Sequence, residues 1–239
     1  MELYYTPKTN IENNIIKITG EEFHHIKNVM RHKVGDIIYI TDGEGNEYKA
    51  EIEKITKTLI QAKVLNSSLG LREPKAKVTL AQCLIKGNRM DIAIEKATEL
   101  GTYAILPVVS SRTIARLTEN KKKHFRNIMI SAMKSSTRTY LPKLYDEIAY
   151  QELLTTADNY DLALLGWEAE TKLHLTEINF NNINTVLLII GPEGGFTDDE
   201  IALANSKNIT LFSLGPRRLR AETAAISALS IILAKMNEI

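Results

Sequence analysis

The sequence predicts an α/β chain in two parts: a small β-rich unit of half-open barrel type, then a larger unit on a parallel sheet. Three observations predict it. The first 65 or so residues alternate apolar with charged side chains around Asp-Gly turns. From Lys77 onward, apolar strands alternate with amphipathic helices. Between them lies the polar run Asn66-Ser67-Ser68-Leu69-Gly70, ending at Pro74. Period-two alternation marks half-buried strands, whereas uniformly apolar strands separated by helices mark a parallel sheet covered on both faces.

In the first part, strands are expected over residues 15–18, 34–40, 48–55 and 59–65, with one helix over 21–31 and a hairpin turn at Asp42-Gly43-Glu44-Gly45-Asn46. The polar run is read as the linker, giving domains 1–70 and 71–239. In the second part, strands are expected over 78–85, 104–109, 162–165, 186–190 and 209–214. Helices are expected over 90–100, closed by Gly101, over 121–135, after Thr197, and over 222–236. Thr197-Asp198-Asp199-Glu200 has the spacing of a capping box.

Composition narrows the class. At 239 residues, 44% hydrophobic and 25% charged, the chain has the balance of a folded globular protein. A single cysteine, Cys83, makes neither an internal disulfide nor a cysteine zinc cage, so a reducing compartment is the default. The start lacks the pattern of a signal peptide, and the longest apolar stretch, 224–234, is too short to span a bilayer. These features predict a cytoplasmic protein with no membrane partner.

Net charge is only +1, but it is segregated. Residues 112–143 carry nine basic side chains against one acidic, and residues 144–185 carry one basic against eight acidic. Such a block suits a polyanion held on one face, or a solvated helix balanced by its neighbour.

Ligands of a parallel sheet sit at the carboxyl ends of its strands. Two loops there are unusual: Gly191-Pro192-Glu193-Gly194-Gly195-Phe196, and Leu214-Gly215-Pro216-Arg217-Arg218-Leu219-Arg220-Ala221-Glu222-Thr223-Ala224. Neither has a phosphate-loop or dinucleotide fingerprint. No metal is expected, because adjacent His24 and His25 diverge on a helix and no ligand cluster completes a site. Gly-x-Ser-x-Gly is absent. A glycine-walled site beside arginines remains.

These two loops, in this order, resemble those of the ribosomal small-subunit RNA uridine-N3 methyltransferases of the SPOUT superfamily. The resemblance extends through Lys86-Gly87-Asn88-Arg89-Met90-Asp91, Lys96-Ala97-Thr98-Glu99-Leu100-Gly101, Pro107, the 132–142 stretch with Arg138, the His24-His25 to Arg31 segment and Gly35-Asp36, covering nearly the whole chain. It implies S-adenosylmethionine as methyl donor and a C-terminal parallel-sheet α/β domain with a trefoil knot. It further implies an N-terminal PUA-like β-barrel for RNA and a homodimer with active sites at the subunit interface. The implied substrate is small-subunit (16S) ribosomal RNA, free or assembled. The chain departs from the usual pattern at Arg218 (usually Ile), Ala221 (Thr), Ser135 (Gln) and His124-Phe125 (Arg-Trp).

On this reading Leu165, Gly191, Pro192, Glu193, Gly194, Gly195, Leu214, Gly215, Leu219 and Ala224 hold the donor, with Gly166 beside Leu165. Arg220 grips a phosphate of the target nucleotide or orients the uracil oxygens; its bland alternative is a salt bridge to Glu193 or Glu222. Glu222 caps the last helix or serves as base. Lys86, Arg89, Lys122, Lys134 and Arg138 are expected on RNA, Lys122 as part of the 121–123 run. Rival readings are methylation of another RNA position, such as a ribose 2′-oxygen, and a non-catalytic RNA-binding assembly protein.

Overall fold

The computed structural model describes residues 2–239. The chain forms two compact units: one runs up to Glu73 and takes in Ile130–Leu141, the other is Pro74–Met129 with Pro142–Ile239.

The first unit holds β1 (Leu3–Tyr5), β2 (Ile11–Glu12), β3 (Ile15–Ile18), α1 (Gly20–His24), β4 (Ile37–Thr41), β5 (Asn46–Ile55) and β6 (Ile60–Leu69). They form one six-stranded sheet in the order β1-β4-β5-β6-β3-β2, antiparallel except for β1 beside β4. The alternation seen in the sequence is what builds its core: Ile16 and Ile18, Ile38 and Ile40, Ala50 and Ile52, and Ile60 and Ala62 point inward and are buried with Tyr4, Phe23 and Ile26.

Two expectations for this unit need correction. The helix over 21–31 is a five-residue α1 followed by a wider turn, His25–Val29, in which Met30 N donates to His25 O. The polar run expected as a linker is strand: β6 continues through Leu69, pairing Ser67 with Tyr48 and Leu69 with Asn46. Ladder bonds use backbone groups, so polar side chains facing water do not stop a hairpin from lengthening.

The second unit holds β7 (Lys77–Cys83), α2 (Arg89–Leu100), β8 (Ala104–Val109), α3 (Glu119–Ser135, whose last turns belong to the first unit), β9 (Lys143–Leu144), β10 (Ile148–Ala149) and α4 (Tyr150–Leu154). It continues with β11 (Leu162–Gly166), β12 (Thr185–Ile190), α5 (Asp198–Ser206), β13 (Thr210–Phe212) and α6 (Ala221–Lys235). The sheet is parallel throughout, ordered β10-β8-β7-β12-β11-β13, with β9 also on β8. Ala81, Cys83, Leu187, Ile189, Ala163 and Leu165 face a core shared with Tyr150 and Leu153 of α4 and Ile201 and Ala204 of α5. The alternate set, Val78, Leu80, Val186 and Leu188, is equally buried, and α6 packs along β12 and β7. Strands buried on both faces explain why these segments lack alternation. Burial pushes the Cys83 thiol up to about 12, so it is inert packing.

Among the described residues no helix is long and apolar enough to cross a membrane.

Candidate active site

The site begins with register. β11 pairs with both β12 and β13 so that Gly166 lies beside Ile190 and Phe212. All three strands are parallel, so their carboxyl ends meet on one edge, where the sheet opens a cavity of about 330 Å³. Small-molecule sites run from roughly 300 to 1,000 Å³, so this cavity suits one compact ligand.

The glycine loop after β12 is pinned from several sides. Gln82, wholly buried beside Ile190, donates its amide to the carbonyls of Cys83 (3.0 Å) and Gly191 (3.4 Å). Arg112 donates to the carbonyl oxygens of Gly194 (2.7 Å) and Phe196 (3.1 Å), so this member of the basic block serves the loop. Thr197 and Glu200 form the expected capping box, and Glu200 also accepts from Ser111 N at 2.8 Å. Glu193 accepts from Lys86 N at 3.0 Å and lies 3.7 Å from Arg89 Nη1. Gly195 adopts φ +66°, and a Cβ there would stand 2.5 Å from Glu168 Oε1. Only glycine combines that backbone with that approach.

Of the expected donor residues, Gly191, Pro192, Glu193, Gly195, Leu214, Gly215, Leu219 and Ala224 line the cavity. Two do not. The Leu165 side chain is fully buried among α4 and α5, because strand alternation sends Gly166 to the cavity instead. Gly194 backs onto Arg112, whose Cβ would lie 3.2 Å from an added methyl. The sequence reading missed Trp167, Glu168, Phe196, Phe212 and Ser213 as lining residues. The strand-end rule applied to β11 would have found the first two.

Arg220 lines the cavity, exposed, and makes neither of its expected pairs with Glu193 or Glu222. Arg217 and Arg218 join it at the mouth. Glu222 is off the cavity lining: it is 7% exposed in the first turn of α6, and its Oε2 has no hydrogen-bond partner. Ala221, a departure from the usual pattern, also lines the cavity.

The cations expected on RNA are mostly committed elsewhere. Lys122 pairs with Asp146, which raises its pKa and keeps it charged. Lys134 pairs with Glu22 at 2.5 Å, largely shielded from water. Arg138 is 3% exposed and holds Glu73 through Nε (3.1 Å) and Nη2 (2.7 Å). All three side chains are engaged in ion pairs within the fold. Arg89 lines the cavity, and Lys86 is exposed beside it. Of the remaining departures, His124 bonds Asp91 (2.9 Å), Phe125 is buried, and Ser135 caps back to Ala132 O.

A family model described as an RNA methyltransferase domain matches residues 72–233, and one described as an RNA methyltransferase PUA domain matches residues 18–65. The chain belongs to this RNA methyltransferase family. As a methyltransferase it is 35% identical over 227 residues to Ribosomal RNA small subunit methyltransferase E of Bacillus subtilis, covering 90% of this chain and 88% of that one. It is 34% identical to the Rickettsia conorii protein of the same name, covering 92% and 89%. Among solved structures, Ribosomal RNA small subunit methyltransferase E of Neisseria gonorrhoeae, bound to S-adenosyl methionine, aligns with TM-score 0.88 at 28% identity, covering 98% of this chain and 97% of that one. A Legionella pneumophila chain in complex with the same cofactor aligns with TM-score 0.86 at 32% identity, covering 97% and 96%.

Proposed function

We propose that this methyltransferase transfers a methyl group from S-adenosylmethionine to N3 of one uridine in small-subunit ribosomal RNA, as a cytoplasmic homodimer. On this reading residues 1–70 are the PUA-like domain that holds RNA and residues 71–239 the trefoil-knotted transferase domain. The carrying observation is the cavity at the joined ends of β11, β12 and β13, walled by glycine and edged by charges of both signs.

The residues present fit the donor. An adenosine needs close backbone approach with few fixed charges, which Gly191, Gly195 and Gly215 permit. An amino-acid zwitterion with an extra cation needs both signs, and Glu168 and Glu193 face the cavity along with Arg217, Arg218 and Arg220. The donor supplies an activated methyl carbon on sulfonium sulfur. What the chain adds is position and charge control: the pinned glycine loop fixes one wall of the cavity, and Arg220, at the start of α6, presents a planar guanidinium to it. There it stabilises the negative charge that uracil oxygens gain as N3 loses its proton. Glu222, buried away from the cavity, belongs to the architecture of the loop.

Arg220→Lys is therefore expected to lower the single-turnover rate about a hundredfold, the scale of losing one oxyanion donor. Donor affinity should change less than threefold. Glu222→Gln should keep the rate within about threefold; a drop of two orders of magnitude with an altered pH profile would make Glu222 the base.

RNA affinity should fall steeply with salt. Lys123 and Arg126 are exposed on α3 with no carboxylate partner among the described residues. Neutralising both should flatten the slope of log K against log salt by about 1.4, at about 0.7 per single-strand phosphate. Neutralising Lys122 should leave the slope unchanged.

The proposal is tested by mass spectrometry of small-subunit ribosomal RNA nucleosides from a strain lacking the gene. Loss of one 3-methyluridine, restored by the wild-type gene, is expected. Loss of a 2′-O-methyl nucleoside, or of nothing, would replace the proposal with one of its rivals.

A further inference from the structure

Two carboxylates line the cavity, and their situations differ. Glu193 is committed, accepting the Lys86 amide and facing Arg89. Glu168 follows β11, stands directly against Gly195, and has no hydrogen bond or ion pair among the described residues. Arg112, the nearest member of the basic block to this loop, is spent on the carbonyls of Gly194 and Phe196. None of the arginines that line the cavity forms an ion pair with Glu168 among the described residues. The Glu168 carboxylate shares the cavity with Arg89, Arg217, Arg218 and Arg220 yet pairs with none of them, which leaves it open to a positively charged ligand group.

We propose that Glu168 recognises the positive charge of the donor's sulfonium and so makes the cavity prefer S-adenosylmethionine over its spent product. This rests on the donor assignment made above. In methyl transfer the sulfur–methyl bond breaks with its electron pair staying on sulfur, the N3–H bond electrons form the new N3–methyl bond, and the N3 proton passes to solvent. Donor and product share adenosine and amino acid; they differ in the methyl group and one positive charge. A carboxylate that reads that charge holds the donor and lets the neutral thioether leave, which favours turnover.

The discriminating measurement is a cycle of four affinities: S-adenosylmethionine and S-adenosylhomocysteine, each against wild-type protein and Glu168→Gln. Calorimetry gives the constants, and emission from Trp167, the one tryptophan of the chain and a cavity residue, reports them independently. Glu168→Gln is isosteric, so methyl packing cancels in the cycle and the charge remains. Five- to tenfold weaker donor binding is expected, with product affinity changed less than twofold, because an exposed carboxylate is partly screened. Glu168→Asp should recover part of the preference. Equal weakening of both ligands would overturn the inference by placing Glu168 on a group they share, and no change in either would remove it from the site. If wild-type protein binds neither compound, the donor assignment fails, and this inference with it.

Discussion

Gly195→Val is expected to weaken S-adenosylmethionine binding at least a hundredfold while far-ultraviolet circular dichroism stays native. The backbone at Gly195 has φ +66°, where a β-branched residue costs about 1–2 kcal/mol. The added Cβ would stand 2.5 Å from Glu168 Oε1, so the carboxylate must swing away from its place against the loop. Because Gly195 forms part of the cavity wall, the valine methyls take up donor space, and a hundredfold loss corresponds to roughly 2.7 kcal/mol. The fold should survive, because the loop's other anchors, Gln82, Arg112 and the Thr197–Glu200 box, do not depend on the Gly195 Cα hydrogen. Calorimetry and Trp167 emission both report the result. Binding within threefold of wild type would remove this loop from the donor site. Gly194→Val acts on a different neighbour, Arg112, and should disturb binding only through the loop's anchoring.

The second large effect is on stability. Arg138→Ala should cost about 3–5 kcal/mol, the scale of stranding one partner of a buried ion pair. Glu73 Oε2 would lose both guanidinium donors, while Oε1 keeps only the backbone amides of Thr139 (2.7 Å) and Tyr140 (3.0 Å) and a long Thr139 hydroxyl contact. Arg138→Lys should recover little, since one ammonium cannot reproduce the two-nitrogen approach. Thermal and urea melts check this. An unchanged melt combined with weakened RNA binding would return Arg138 to the nucleic-acid surface.

That pair shows where the sequence stops being legible. The basic block between residues 112 and 143 is plain in the sequence, but its partners are remote. Glu22 lies 112 residues from Lys134, and Glu73 lies 65 residues from Arg138. Charge counting along the chain cannot register neutralisation across the fold. Local signals fared better. The Thr197–Glu200 box, the Gly101 cap at φ +103° and the apolar strands β11 and β12 all follow from short-range chemistry. The linker misread at Asn66–Leu69 has the opposite cause: strand pairing needs no apolar side chain where the hairpin projects into water. At the cavity, the two loops carrying glycine were legible because glycine is rare at strand ends without reason. Trp167 and Glu168 carry no glycine signal, and only the strand-end rule, carried past Gly166 into the residues after β11, points to them.

The account turns on the cavity at the ends of β11, β12 and β13 being where a methyl group is handed to a uracil nitrogen. The most direct test incubates purified protein with small-subunit ribosomal RNA, free or assembled, and donor labelled in its methyl group, then digests the RNA to nucleosides. The account predicts label in 3-methyluridine, in one nucleotide, with none when Gly195→Val replaces wild type. Label in a 2′-O-methyl nucleoside, or undiminished transfer by Gly195→Val, would contradict it.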